Sequence, residues 1–77
     1  MTTRKQTIEQ ALSEIYGDAM VPTVADHIDQ RWTDLVKEGE RNNGLEAELT
    51  IAIWNWYAGG TTAAKAARLV LERLEES

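Results

Sequence analysis

Residues 45–58 read Leu45-Glu46-Ala47-Glu48-Leu49-Thr50-Ile51-Ala52-Ile53-Trp54-Asn55-Trp56-Tyr57-Ala58, and whether they form a strand or a helix decides the fold. Thr50 to Trp54 taken alone passes for a short strand, being β-branched and aromatic. Two features outweigh that reading. Asn43 stands where a helix cap belongs, with Glu46 at the position that reaches back to it. The apolar residues also recur at helical intervals, and they do so twice. One stripe holds Leu45, Leu49, Ala52, Ile53 and Trp56; the other holds Ala47, Ile51, Trp54 and Ala58. Glu48 and Asn55 part the stripes on one edge, and Glu46, Thr50 and Tyr57 on the other.

A helix with two apolar faces needs cover on both. Trp54 and Trp56 lie about 160° apart on the wheel, so each face receives one indole. The stripe with Trp56 is the more aliphatic and reads as core. Ala47, Ile51, Trp54 and Ala58 read as a surface for a partner protein or a second copy, because Trp and Tyr concentrate at such interfaces.

Outward from this segment the punctuation is Gly17-Asp18 with Pro22 following, Gly39 to Gly44, and Gly59-Gly60. Toward the N-terminus, Val24, Ala25, Ile28, Trp32, Leu35 and Val36 fall within roughly a 120° arc of one helix. Thr23 and Asp26 cap it and Gly39 ends it. Ahead of it, Ile8, Ala11, Leu12 and Ile15 form another stripe, opened by the capping-box pair Thr3 and Gln6 and stopped by Gly17. Toward the C-terminus, Ala63, Ala67, Val70 and Leu74 make a seam of small residues behind a Thr61 or Thr62 cap. Glu72, Glu75 and Glu76 crowd its last turn, where the helix dipole favours cations, so fraying is expected there unless packing or a partner holds it.

Composition narrows the function. The chain has 77 residues, thirteen Asp+Glu against eight Lys+Arg, a net charge of −5, one His and no Cys. Disulfide scaffolds, thiol chemistry and cysteine metal sites are excluded. The positive field of a nucleic-acid binder is missing. Sixteen residues are Val, Leu or Ile and none is Phe, so a monomer is expected to be marginal and dimerisation to be a remedy. No apolar run exceeds four residues, Ile51 to Trp54, and others such as Ala19-Met20-Val21 are three; that supplies no transmembrane or signal-peptide core, and a cytoplasmic protein is expected.

Motifs for chemistry are weak. His27 lies between Asp26 and Asp29, but adjacent helical residues diverge, so neither a hydrolytic pair nor a metal site follows. No Asp-rich calcium loop is present. Gly59-Gly60-Thr61-Thr62 precedes a helix without the Gly-Lys-Ser/Thr core of a phosphate loop. Trp56 to Leu69 looks like the opening of a helix-turn-helix, yet Val70 to Ser77 supply no recognition helix, and Lys65 and Arg68 would meet DNA beside Glu72 and Glu75. Asp26, Asp29, Asp34 and Glu38 form an acidic surface that either solubilises the chain or imitates spaced phosphates.

The expectation is an all-α, compact four-helix bundle-like domain over residues 1–77, with helices near 3–16, 23–38, 44–58 and 62–75. It carries no catalytic residues, metal or cofactor and acts by binding a protein, with a homodimer as its expected state. The roles that fit are a small inhibitor of the phage or mobile-element type (one that blocks a nucleic-acid-binding host enzyme included), an antitoxin-like factor or an adaptor. The alternative is a DNA-binding regulator with a degenerate helix-turn-helix.

Overall fold

The computed structural model describes residues 3–76. They form five α-helices: α1 (Arg4–Ile15), α2 (Val21–Gln30), α3 (Trp32–Arg41), α4 (Leu45–Trp56) and α5 (Thr61–Glu76). The fold is all-α and bundle-like, as the periodicity implies, with one helix more than expected.

α1 begins with the capping box read from the sequence. The Thr3 hydroxyl accepts from the Gln6 N–H at 3.2 Å, and the Gln6 side chain accepts from the Thr3 N–H at 2.9 Å. Gly17, with φ +58°, turns the chain beyond α1. α2 then starts at Val21, ahead of the expected Thr23. Pro22 sits in its first turn, where a missing N–H costs nothing. Asp18 accepts from the Met20 N–H at 2.8 Å just before it.

The expected 23–38 helix is two helices. Arg31, at φ −97° and ψ 9°, interrupts it, and its N–H is shared between the carbonyls of His27 and Ile28 at 3.2 Å each. The break separates two packing tasks: α2 lies on α1, and α3 lies on α4. α3 also runs past Gly39 to Arg41. At the next start, Gly44 and not Asn43 takes the cap position, with φ +98° and no side-chain cap bond.

The remaining contacts close the ring. α1 packs on α5, α5 on α4, and α2 touches both α3 and α4. Their shared interior is aliphatic: Ile8, Leu12, Val21, Ile28, Leu49, Ile53 and Val70 are fully buried, with Ala11, Ala25, Ala63, Ala66 and Ala67 between them. Four of the buried residues of α5 are Ala63, Ala66, Ala67 and Val70, and their small volume lets α1 and α4 approach closely. No aromatic side chain enters this buried cluster. The radius of gyration is 11.2 Å, against about 11.5 Å for a compact chain of this length. Among the described residues no helix is long and apolar enough to cross a membrane.

The α3–α4 junction depends on one glycine. Gly39 is buried, and a Cβ there would stand 2.7 Å from the Leu45 nitrogen and 2.9 Å from the Gly44 carbonyl carbon. Both are backbone atoms, so relief requires moving a helix end. The Gly44 N–H also donates to the Gly39 carbonyl at 2.9 Å, closing the turn over the same residue. Gly39→Ala is therefore expected to cost about 2–3 kcal/mol in urea denaturation. An unchanged midpoint would show that this junction tolerates a side chain.

Candidate protein-docking face

α4 presents its first apolar stripe inward, where Leu49 and Ile53 are fully buried. The second stripe points away from the core. Ile51 remains 51% exposed and Trp54 56% exposed, with Ala47 half-buried beside them. No helix of the described chain covers this ridge. Ala58 lies past the helix end, because α4 stops at Trp56, and it is half-buried in the turn to α5. The Trp54 indole rests against Gly59: a Cβ on that glycine would meet the ring at 2.8 Å. The missing side chain of Gly59 thus provides the seat on which the exposed indole is held.

Trp56 corrects the sequence reading. It is 56% exposed instead of buried. Its place is the last residue of α4, and its ring lies on the His27 imidazole, with centroids 3.7 Å apart and planes 41° to each other. The aliphatic neighbours on the same wheel sector say nothing about where the partner helices end, which is why periodicity placed it inside. Beside it runs a groove between α3 and α4, lined among others by Arg31, Glu38, Glu48, Ile51, Ala52 and Trp56. Arg31 and Asp34 line it toward the Trp56 end, while the Asn42 amide joins Glu38 and Glu48 at the opposite end, 3.3 Å from each. The helix break at Arg31 builds this groove, and without seeing that break the sequence could not reveal it.

The residues considered for chemistry are not brought together. Asp26 pairs with Lys5 at 3.5 Å and accepts from Gln30 at 2.9 Å. Asp29 pairs with Arg4, whose guanidinium also lies 5.4 Å from the Trp32 ring centre. His27 therefore has neither neighbouring carboxylate to orient it, and its Nε2 is buried without a hydrogen-bond partner among the described residues. No group of three or more His, Asp or Glu gathers as a metal site among those residues.

Of the four acidic-surface residues, Asp26 and Asp29 lie on α2, and Asp34 and Glu38 on α3. Glu38 faces Arg41 at 3.7 Å. On α5, Arg68 faces Glu72 at 3.5 Å, and Arg73 reaches Glu14 of α1 at 2.8 Å. Arg31, Lys37 and Lys65 make no ion pair among the described residues.

A polar clasp fixes the end of α4 to the chain after α1. The Tyr16 and Tyr57 rings meet edge-on at 4.7 Å. Asp18 is held below its usual carboxylate range by the Met20 N–H and then by the Tyr57 hydroxyl. Tyr57 is pushed up to about 12 by loss of hydration and by the Asp18 carboxylate.

No protein-family model, no curated protein and no solved structure matches this chain.

The clasp sets a pH dependence. A phenol whose pKa rises from 10.0 to about 12 on folding stabilises the fold fully below pH 10. That contribution is lost as pH climbs through about 12. Asp18, depressed on folding, contributes above the ordinary carboxylate range and loses that contribution as pH falls through its lowered value. Denaturation midpoints against pH are expected to fall at both extremes, and Tyr57→Phe is expected to flatten the alkaline limb. An unchanged alkaline limb in that variant would remove Tyr57 from the clasp.

Proposed function

We propose that this chain is a non-enzymatic protein-docking module whose binding face is the outer ridge of α4. One observation carries the reading: the helices close their core without Ile51 and Trp54, which remain half exposed on the side opposite Leu49 and Ile53. An indole held in place by its glycine seat loses little freedom on binding, and such aromatic anchors supply much of the energy of protein interfaces. Ala47 and the turn at Ala58 flank the anchors with small residues, which allows a partner's helix to approach. An inhibitor, an antitoxin-like factor and an adaptor all act through a face of this kind.

The charge distribution supports protein over nucleic acid as the ligand. Arg68, on the helix a degenerate helix-turn-helix would use for reading, is engaged by Glu72 on the same helix. Three of the four carboxylates that could imitate phosphates face cations of this chain, which weakens their outward field.

The face is separable from the fold. Ile51→Lys and Trp54→Lys are each expected to change unfolding free energy by less than about 1 kcal/mol. Leu49→Ala and Ile53→Ala are expected to cost about 2–5 kcal/mol. Helical peptides selected by display on the wild-type chain are expected to lose about tenfold or more in affinity for either Lys variant. Unfolding of Ile51→Lys, or selected peptides indifferent to both changes, would overturn the docking reading.

A further inference from the structure

We infer that the break at Arg31 is a hinge, at which α2 and α3 straighten into one helix and two opened chains exchange their α3–α5 segments. The exchange does not use the α4 ridge and stands apart from the docking reading.

No local signal builds the break. Arg is a good helix former, no Gly or Pro adjoins Arg31, and α3 starts without a side-chain cap. The apolar arc from Val24 to Val36 runs through the position as one helix. Arg31 already makes both of its helical hydrogen bonds. Its N–H donates to the His27 carbonyl at 3.2 Å, and its carbonyl accepts from the Leu35 N–H at 2.9 Å. From φ −97° and ψ 9°, helical values lie only about 35° away in φ and about 50° in ψ. The exposed Arg31 side chain makes no ion pair among the described residues. Tertiary packing alone holds the bend.

The bend folds one packed unit onto another. α1 and α2 form the first, and α3, α4 and α5 the second. Across the bend α1 meets α5 and α2 meets α4. Arg73 to Glu14 at 2.8 Å and the Tyr16–Tyr57 ring contact join the same two units. A continuous helix from Val21 to Arg41 would be about 31 Å long. The longest extent of the whole molecule is 32 Å, so straightening draws the two units apart. The face that α1 then uncovers is already complementary to α5, and a second opened chain supplies that α5. Every contact across the bend is remade between copies, which is the condition for a swapped dimer.

The test takes the chain at millimolar concentration through its urea midpoint, returns it to buffer and separates dimer from monomer by size. The wild type is expected to yield a dimer that, once diluted, separates only as slowly as the chain unfolds. Glu14→Arg and Arg73→Glu each set like charges between α1 and α5, whether the chain is closed or swapped. A swapped heterodimer of the two variants joins opposite charges at both of its α1–α5 contacts. Glu9 and Glu76, which line the same region, are common to every species. The mixture is therefore expected to hold about tenfold more dimer than either variant alone. Arg31→Ala is expected to favour the dimer about thirtyfold over Arg31→Gly, since each dimer contains two straightened hinges. Trp54→Lys is expected to leave it unchanged. A wild type that yields no dimer would overturn the inference, as would a mixture no richer in dimer than its components. Equal dimer from the two Arg31 variants, or its loss in Trp54→Lys, would also overturn it.

Discussion

The position of α4 depends on a contact made without a side chain. At Gly39, α3 presses directly on the backbone of Gly44 and Leu45, which brings α4 back alongside α3 after a short turn. That approach sets which side of α4 meets Leu35 and the α5 alanines, and therefore which side is left outside. The buried stripe and the exposed ridge are two consequences of one placement. Since α4 is only partly enclosed by its three neighbours α2, α3 and α5, its two apolar faces cannot both be satisfied within the described chain. Ile51 and Trp54 remain outside for that geometric reason.

Energetically the molecule divides its apolar residues by shape. Leu, Ile, Val and Ala make the interior, where small volumes permit close helix approach. The indoles stay at the margin, and each lies on a different support: Trp32 under the Arg4 guanidinium, Trp54 over Gly59, and Trp56 against His27. Aromatic surface that is ordered but not enclosed is available for recognition. The acidic surface is organised by pairing with α1 through Arg4 and Lys5, so much of it serves to hold α2 in place.

Much of this was legible in the residue order. The Thr3–Gln6 capping box, the Gly17 turn and the two stripes of α4 each follow from local chemistry that tertiary packing did not override. The break at Arg31 was not legible, because no Gly or Pro marks it and the apolar arc from Val24 to Val36 runs through it unbroken. What divides that helix is the demand of packing on α1 and on α4 at once. Trp56 was misplaced for a related reason: a wheel gives direction but not depth, and the last residue of α4 extends to the edge of the bundle beside His27. Asn43 had the composition of a cap, yet Gly44 could adopt the positive φ that the tight α3–α4 turn needs. The exposed ridge was visible as a second stripe, through Ile51 and Trp54. Its charged flank was hidden until α3 existed as a separate helix.

The most direct measurement follows Trp54 alone, in a chain with Trp32→Phe and Trp56→Phe, by acrylamide quenching of its fluorescence across protein concentration. The account predicts ready quenching, because the indole lies outside the core and rests on Gly59. Protection of Trp54 at every dilution would place the ridge inside the fold and contradict the account.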